Sequence, residues 1–254
     1  MKRYGVLLLV RLGMLLIGYF LGNLLPFQPT SKSPQLAYVS NGYIHLHNLQ
    51  TEEDINIGSI TDEGHRNEIS PDGSVVASLT NLDGPNWSLG LLDTTDWHRT
   101  EIFEFHSSFP TLSWSPDGRS LAFGATPEGK ETSFNSSELF LLDVQTLQTQ
   151  QLTDNDYRDD SPSFSPDGKQ LAYTSSADGF NRLYVLDIAT QTSRRVTDQS
   201  FGYVPVWSPD GKQIAFSSNH EEFHNQVYVI NADGTNLRRV SFTTATDDFP
   251  FWMP

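Results

Sequence analysis

The chain has 254 residues, enough for one or two domains, and its 37% hydrophobic and 12% aromatic residues can fill a core. No cysteine is present, which excludes disulfides, thiolate zinc sites and lipidated cysteines. The formal charge is −15; Lys2, Arg3 and Arg11 are the only charges in residues 1–30, so the remainder carries −18. A domain that acidic repels nucleic acid and anionic lipid surfaces, so no nucleic-acid partner is expected.

Tyr4 to Leu25 is apolar apart from Arg11 and Asn23, with three basic residues on its N-terminal side. Residues 1–27 therefore read as an uncleaved signal anchor, a transmembrane helix with its N-terminus in the cytoplasm and the rest periplasmic or extracellular. Arg11 can snorkel to lengthen the span. Gly22-Asn23-Leu24 offers no small-x-small cleavage pair. Secretion after signal cleavage is the alternative. Residues 28–33 form a stiff, proline-containing linker, and 34–254 the folded domain.

Ser-Pro-Asp-Gly begins at Ser70, Ser115, Ser165 and Ser208. Pro pre-sets φ, Asp bonds back to the backbone and Gly tolerates positive φ, so each is a tight turn between two strands. The strands after the turns are Val75 to Thr80, Ser120 to Ala125, Gln170 to Ser175 and Gln213 to Ser218, and Gln35 to Ser40 is a fifth copy. Runs such as Ile214-Ala215-Phe216 are apolar on both pleat faces and predict cover on both sides. Third strands are expected at Tyr43 to Leu49, Trp87 to Asp93, Ser137 to Asp143, Arg182 to Asp187 and Gln226 to Asn231. More polar fourth strands follow at 55–61, 100–105, 149–153, 193–197 and 237–241. First strands end near Ile69, Trp114, Phe164, Trp207 and Trp252.

The earliest second strand, at Gln35, has no first strand before it, and the last first strand, Phe249 to Met253, has no second strand after it. Each end is the other's missing partner. The C-terminal strand should join the N-terminal three and close a ring of five blades of about 44 residues. A fragment of a larger propeller is the third reading, and the matching ends argue against it.

The pattern P-x-W-S-P-D-G-x-x-[LI]-A-[FY], then [LY]-[YF]-[VL]-x-[DN], then R-[RQ]-[LV]-[TS], resembles the TolB-type, WD40-like propeller repeat over 34–254. Copies 161–197 and 204–241 fit almost position by position, whereas Ile69 replaces the tryptophan and Asp-Gly is missing before Gln35. The resemblance implies an all-β, five-bladed propeller of four-stranded blades and a part in envelope protein interactions or polymer recognition. Prolyl-oligopeptidase-like peptidases use similar repeats beside a serine hydrolase domain, but no G-x-S-x-G occurs here.

His220-Glu-Glu-Phe-His224 matches H-E-x-x-H, in which a helix places both histidines on one face. Here the motif falls in a short inter-strand loop, so no metal site is expected. His45 and His47 share a strand face and read as packing. No spacing picks out a catalytic triad, so no catalytic residue is assigned. Asn86-Trp-Ser and Asn135-Ser-Ser are sequons that matter only in a eukaryotic secretory host.

Four residues before each first-strand aromatic stand His65, Pro110, Asp160, Tyr203 and Asp248, with Asp159 and Asp247 adjacent. In a propeller these positions meet around one mouth of the central channel. His65, Asp159, Asp160, Tyr203, Asp247 and Asp248 are accordingly the candidate binding residues, expected on loops where their carboxylates carry little packing. The mouth suits a cation, a basic peptide segment or a sugar. The expected role is a membrane-anchored scaffold that binds envelope proteins or polymers and needs no cofactor. The alternative is a lyase or glycan hydrolase using mouth carboxylates and a divalent cation.

Overall fold

The structure is a computed structural model. It describes residues 35–40, 43–48, 52, 54–59, 67–83, 86–93, 99–107, 111–127, 137–199, 204–219, 224–243 and 246–252. The anchor (1–27) and linker (28–33), with His65, Tyr203, His220 and Asn135, lie outside the described residues. Among the described residues no helix is long and apolar enough to cross a membrane.

The described residues form five four-stranded antiparallel sheets. The first contains β1 (Gln35–Ser40), β2 (Tyr43–Asn48) and β3 (Asp54–Ser59), and the second β4 (Asn67–Ile69), β5 (Val75–Asp83), β6 (Asn86–Asp93) and β7 (Arg99–His106). The third holds β8 (Leu112–Trp114), β9 (Ser120–Ala125), β10 (Glu138–Asp143) and β11 (Thr149–Gln151). The fourth holds β12 (Asp159–Phe164), β13 (Gln170–Ser175), β14 (Arg182–Asp187) and β15 (Thr192–Arg195). The fifth holds β16 (Val206–Trp207), β17 (Gln213–Ser218), β18 (Gln226–Asn231) and β19 (Arg238–Arg239). β20 (Asp247–Trp252) returns to the first sheet, which runs β20-β1-β2-β3. The expected pairing of the two ends is therefore present, with Leu36 opposite Trp252 and Ser40 opposite Asp247.

The Ser-Pro-Asp-Gly turns show why the sequence folds this way. In the turn at 208–211 the Ser208 hydroxyl donates to Asp210 Oδ1 at 2.7 Å and accepts the Gln213 N–H at 2.9 Å. The Gly211 N–H closes the turn on the Ser208 carbonyl at 2.8 Å, with Gly211 at φ 70. The same bonds recur in the other three copies. Each hydroxyl thus satisfies an aspartate and a strand N–H at once. Successive turns also touch: a Cβ on Gly118, Gly168 or Gly211 would lie 3.6, 3.5 or 3.7 Å from Cδ of Pro71, Pro116 or Pro166.

β9, β13 and β17 are buried at every position after the first, as their unbroken apolar runs require. The core lies between sheets. One cluster joins Leu79 and Leu89 of the second sheet to Trp114, Leu121 and Phe123 of the third. Another joins Val185 and Leu183 of the fourth to Trp207, Phe216 and Tyr228 of the fifth. A fully enclosed side chain such as Phe216 contributes about 1.5–3 kcal/mol. The first strands pack in the order β4, β8, β12, β16, β20. Trp114 Nε1 donates to the Glu68 carbonyl at 3.0 Å and Trp252 Nε1 to that of Val206 at 3.1 Å, tying neighbouring sheets.

Three fourth strands are shorter than expected, ending at Gln151, Arg195 and Arg239. The reason is local. The N–H groups of Leu152, Val196 and Val240 still reach Leu139, Leu183 and Val227, but the following hydroxyls of Thr153 and Ser241 take the Leu139 and Val227 N–H groups. At the ends of β11 and β19, side-chain caps thus replace the backbone ladder. His47 is buried in β2, between β1 and β3, and its Nε2 lies 3.2 Å from Glu52, which also pairs with Arg238 at 2.9 Å.

Candidate functional site

Antiparallel order fixes which groups share an end of the sheets. First strands start, second strands end, third strands start and fourth strands end on one side. The Ser-Pro-Asp-Gly turns lie on the other. Asp159 and Asp160 open β12, and Asp247 and Asp248 open β20, so both pairs sit on the side opposite those turns. The expectation that they lie on loops and carry little packing is corrected. All four belong to first strands, Asp159, Asp160 and Asp247 are buried, and Asp248 is half-buried. β16 lies between β12 and β20 in the packing order, so the two pairs are not on adjacent strands.

A bulge creates each place. β12 pairs Asp160 with Thr174 and then, one residue out of step, Ser163 with Ala172. Ser161, ahead of Pro162, takes the left-handed φ of 53 there, and Val204, ahead of Pro205, repeats it at φ 58. A β-branched residue rarely adopts that conformation, so the surrounding fold enforces it. In β20 the register shifts between Ala37 and Val39 of its partner, leaving Phe249-Pro250 in the extra position. Gly124 of β9 permits the close approach: a Cβ there would lie 3.0 Å from Asp160 Cβ and 3.2 Å from its Cα.

Around the first pair the polar network is dense. The Asp159 N–H donates to the Ser137 carbonyl at 2.8 Å, and Asn155 Nδ2 donates to Asp159 Oδ2 at 2.9 Å. Glu138, fully buried at the start of β10, accepts from the Thr153 hydroxyl at 2.7 Å and the Asn155 N–H at 2.8 Å. Arg158 Nε pairs with Asp160 Oδ2, both side chains being buried. Burial pushes the Asp159 carboxyl up to about 6, and the charge of Glu138 adds to this against hydrogen bonds from Ser175 and Asn155. Burial likewise raises the Tyr173 phenol, which donates to the Ser193 hydroxyl at 2.8 Å.

The second pair repeats the plan with other residues. The Asp247 N–H donates to the Asn225 carbonyl at 2.8 Å, and the Thr243 hydroxyl, four residues ahead as Asn155 is of Asp159, donates to Asp247 Oδ1 at 2.7 Å. Asn225 Nδ2 donates to Asp248 Oδ1 at 2.9 Å. Gln226 stands where Glu138 does and accepts from Arg239 Nη2 at 2.6 Å. Burial raises the Asp248 carboxyl. Carboxylates held this way act on a ligand through their field more than by direct contact.

Three exposed aromatics stand on this side, which also carries the exposed Leu82 at the end of β5. Tyr157 precedes β12, Phe180 lies between β13 and β14, and Phe242 between β19 and β20, at 45%, 62% and 69% exposure. Arg182 lies over the Phe180 ring at 5.7 Å and Arg239 over Phe242 at 5.2 Å. The sequence reading missed these aromatics, and Glu138, Arg158 and Asn155 with them. Phe180 and Phe242 carried a signal, being lone aromatics in polar connections. No group of three or more His, Asp or Glu able to hold a metal occurs among the described residues, and His224 is exposed beside β18.

A family model described as the TolB beta propeller domain matches residues 131–254. An uncharacterized protein of Agrobacterium fabrum is 24% identical over 182 residues, 69% of this chain and 60% of that protein. The Tol-Pal system protein TolB of Francisella tularensis subsp. holarctica is 32% identical over 90 residues, 34% of this chain and 19% of that protein. The chain thus spans less than two thirds of the length of either relative. Among solved structures, TolB from Acinetobacter baumannii superposes with a TM-score of 0.59 at 23% identity, over 81% of this chain and 52% of that one. A putative TolB from Agrobacterium tumefaciens superposes with a TM-score of 0.61 at 19% identity, over 87% of both chains. These two likenesses bear on the fold.

Proposed function

We propose, from its likeness to the TolB beta propeller domain and to TolB, that this chain is a ring-closed, five-bladed TolB-like propeller acting as a binding scaffold for proteins or polymers of the cell envelope. In this reading residues 1–27 anchor it and the propeller stands in the periplasm. The observation that carries the reading is the side bearing Tyr157, Phe180 and Phe242, exposed aromatics that share it with the two aspartate pairs. Rings of this kind supply large contact area at low entropic cost. The excess of −18 over residues 31–254 favours a basic partner segment. Asp159, Asp160, Asp247 and Asp248 would bias the potential, and His65 and Tyr203 would complete the mouth.

The test is binding of a lysine- and arginine-rich probe peptide to the full chain and to a Tyr157→Ala, Phe180→Ala, Phe242→Ala variant. The variant should lose at least about tenfold in affinity, or 1.4 kcal/mol, while melting like the wild type. Wild-type affinity should also fall with salt. Equal affinities for the two proteins would move the function to another surface.

A further inference from the structure

Asn155, in the connection from β11 to β12, makes three short hydrogen bonds. Its N–H donates to Glu138 Oε1 at 2.8 Å, its Nδ2 donates to Asp159 Oδ2 at 2.9 Å, and its Oδ1 accepts the Tyr157 N–H at 2.7 Å. One residue thus joins two buried carboxyl groups to the backbone of an exposed aromatic. The residue after Tyr157 is fixed as well: the Arg158 N–H donates to the Ser176 hydroxyl at 2.9 Å, and its guanidinium pairs with Asp160. The stance of Tyr157 therefore depends on how firmly the Asn155 amide is held. The equivalent place in the fifth sheet is built differently. Thr243 stands in place of Asn155 and Gln226 in place of Glu138, so that place has one acidic group fewer and no side-chain amide at the bridging position.

We propose that Asn155 makes the aromatic side pH-sensitive: the charge on Asp159 locks the amide and Tyr157 with it, and a proton on Asp159 releases both. Its consequence for binding rests on the reading of that side as the surface for a basic segment. The chemistry is that of a hydrogen bond losing its charge. Ionised Asp159 accepts from Asn155 Nδ2 in a charge-assisted bond, about twice as strong as a neutral one. Nδ2 and Oδ1 belong to one planar amide, so holding the first aims the second at the Tyr157 N–H. A protonated carboxyl is the weaker acceptor and holds the amide less firmly. Burial, with Glu138 nearby, puts the change at about 6. The other charged and titratable neighbours are few. Glu138 opens β10 and Asp143 closes it at the far side, Tyr173 lies on β13, and Arg158 and Asp160 pair with each other. β8, β9 and β16, which also pack on β12, contribute no ionisable side chain, and Asp154 and Asp156 of the connection are exposed. A basic segment on this side favours the ionised form, so its affinity falls as pH falls through about 6.

The test follows the Tyr157 amide resonance of the full chain from neutrality to about pH 5, beside the carboxyl carbon of Asp159, in wild type, Asp159→Asn and Asn155→Ala. In wild type the amide proton should move upfield with a midpoint near 6, in step with that carbon. Asp159→Asn should flatten the response. In Asn155→Ala the Asp159 carbon should still titrate while the Tyr157 amide no longer follows it, an uncoupling that a general loosening of the fold would not produce. The lysine- and arginine-rich probe peptide should bind wild type at least about threefold more weakly at the acid end, and the fall should be smaller in Asp159→Asn. A Tyr157 amide that stays still across the window, or that titrates alike in all three proteins, overturns the proposal. So does a fall in peptide affinity of the same size in wild type and Asp159→Asn. A peptide that binds at no pH, with the amide titration as expected, would strike down the binding surface and leave the latch standing.

Discussion

Asp159→Asn should remove a pH-dependent penalty from the native state. The Asp159 carboxyl stands at about 6, against an ordinary value of 3.8. A gap of about two units is worth about 3 kcal/mol. The native state holds this proton more tightly than the unfolded chain does. Its contribution to stability is therefore fully present below 3.8 and is lost as pH rises through about 6. Asparagine has no such proton, and its side chain can still accept from Asn155 or Ser175. The assay is equilibrium urea unfolding of both proteins across this window. The stability of wild type relative to the variant should fall by about 3 kcal/mol from the acid end to neutrality. Taking the difference cancels Asp248, whose carboxyl is shifted the same way. A difference that stays constant with pH, or that grows in favour of wild type, would refute the account of Asp159 as a buried, proton-holding group.

Gly234→Ala and Gly179→Ala form a matched pair, since both glycines have positive φ, 90 and 78. A Cβ on Gly179 meets nothing within 4 Å, whereas one on Gly234 would lie 2.7 Å from the Val196 carbonyl oxygen. Gly179→Ala should cost about 1–2 kcal/mol, the left-handed penalty alone, and Gly234→Ala clearly more, read as a larger drop in Tm; equal drops would show that the contact relaxes freely. Deleting Asp247 to Pro254 removes β20 from β1 together with the Trp252–Val206 bond. Losing the apolar groups of Phe251 and Trp252 alone should cost several kcal/mol, at about 1.5–3 each when fully buried, and a truncated chain melting with the wild type would contradict the role given to that strand.

The repeat was legible because its chemistry is local. Ser-Pro-Asp-Gly closes on itself through bonds spanning two to five residues, so reading the turn also places the strands on either side. Gln35–Ser40 and Gln170–Ser175 fall where their apolar runs put them, and the partnership of β20 with β1 followed from counting strands. The aspartate pairs were found in sequence but misplaced in environment. Asp-Asp ahead of a proline reads as loop, and nothing local shows that Ser161 turns left-handed so that β12 begins two residues earlier. Glu138, Arg158 and Asn155 escaped notice because their burial is a tertiary outcome, joining β10 to the β11–β12 connection.

The pairing of Leu36 with Trp252 sets an order of events. Four of the five sheets are built from contiguous segments and can form as those segments emerge from the ribosome. The sheet of β1, β2 and β3 must wait for β20, which follows the other four sheets in the chain, keeping one edge of β1 open meanwhile. An open edge is a template for the wrong strand. The slowest and most hazardous step of biogenesis should therefore be arrival of β20, and a chaperone that protects this protein would do most good by shielding β1 until then.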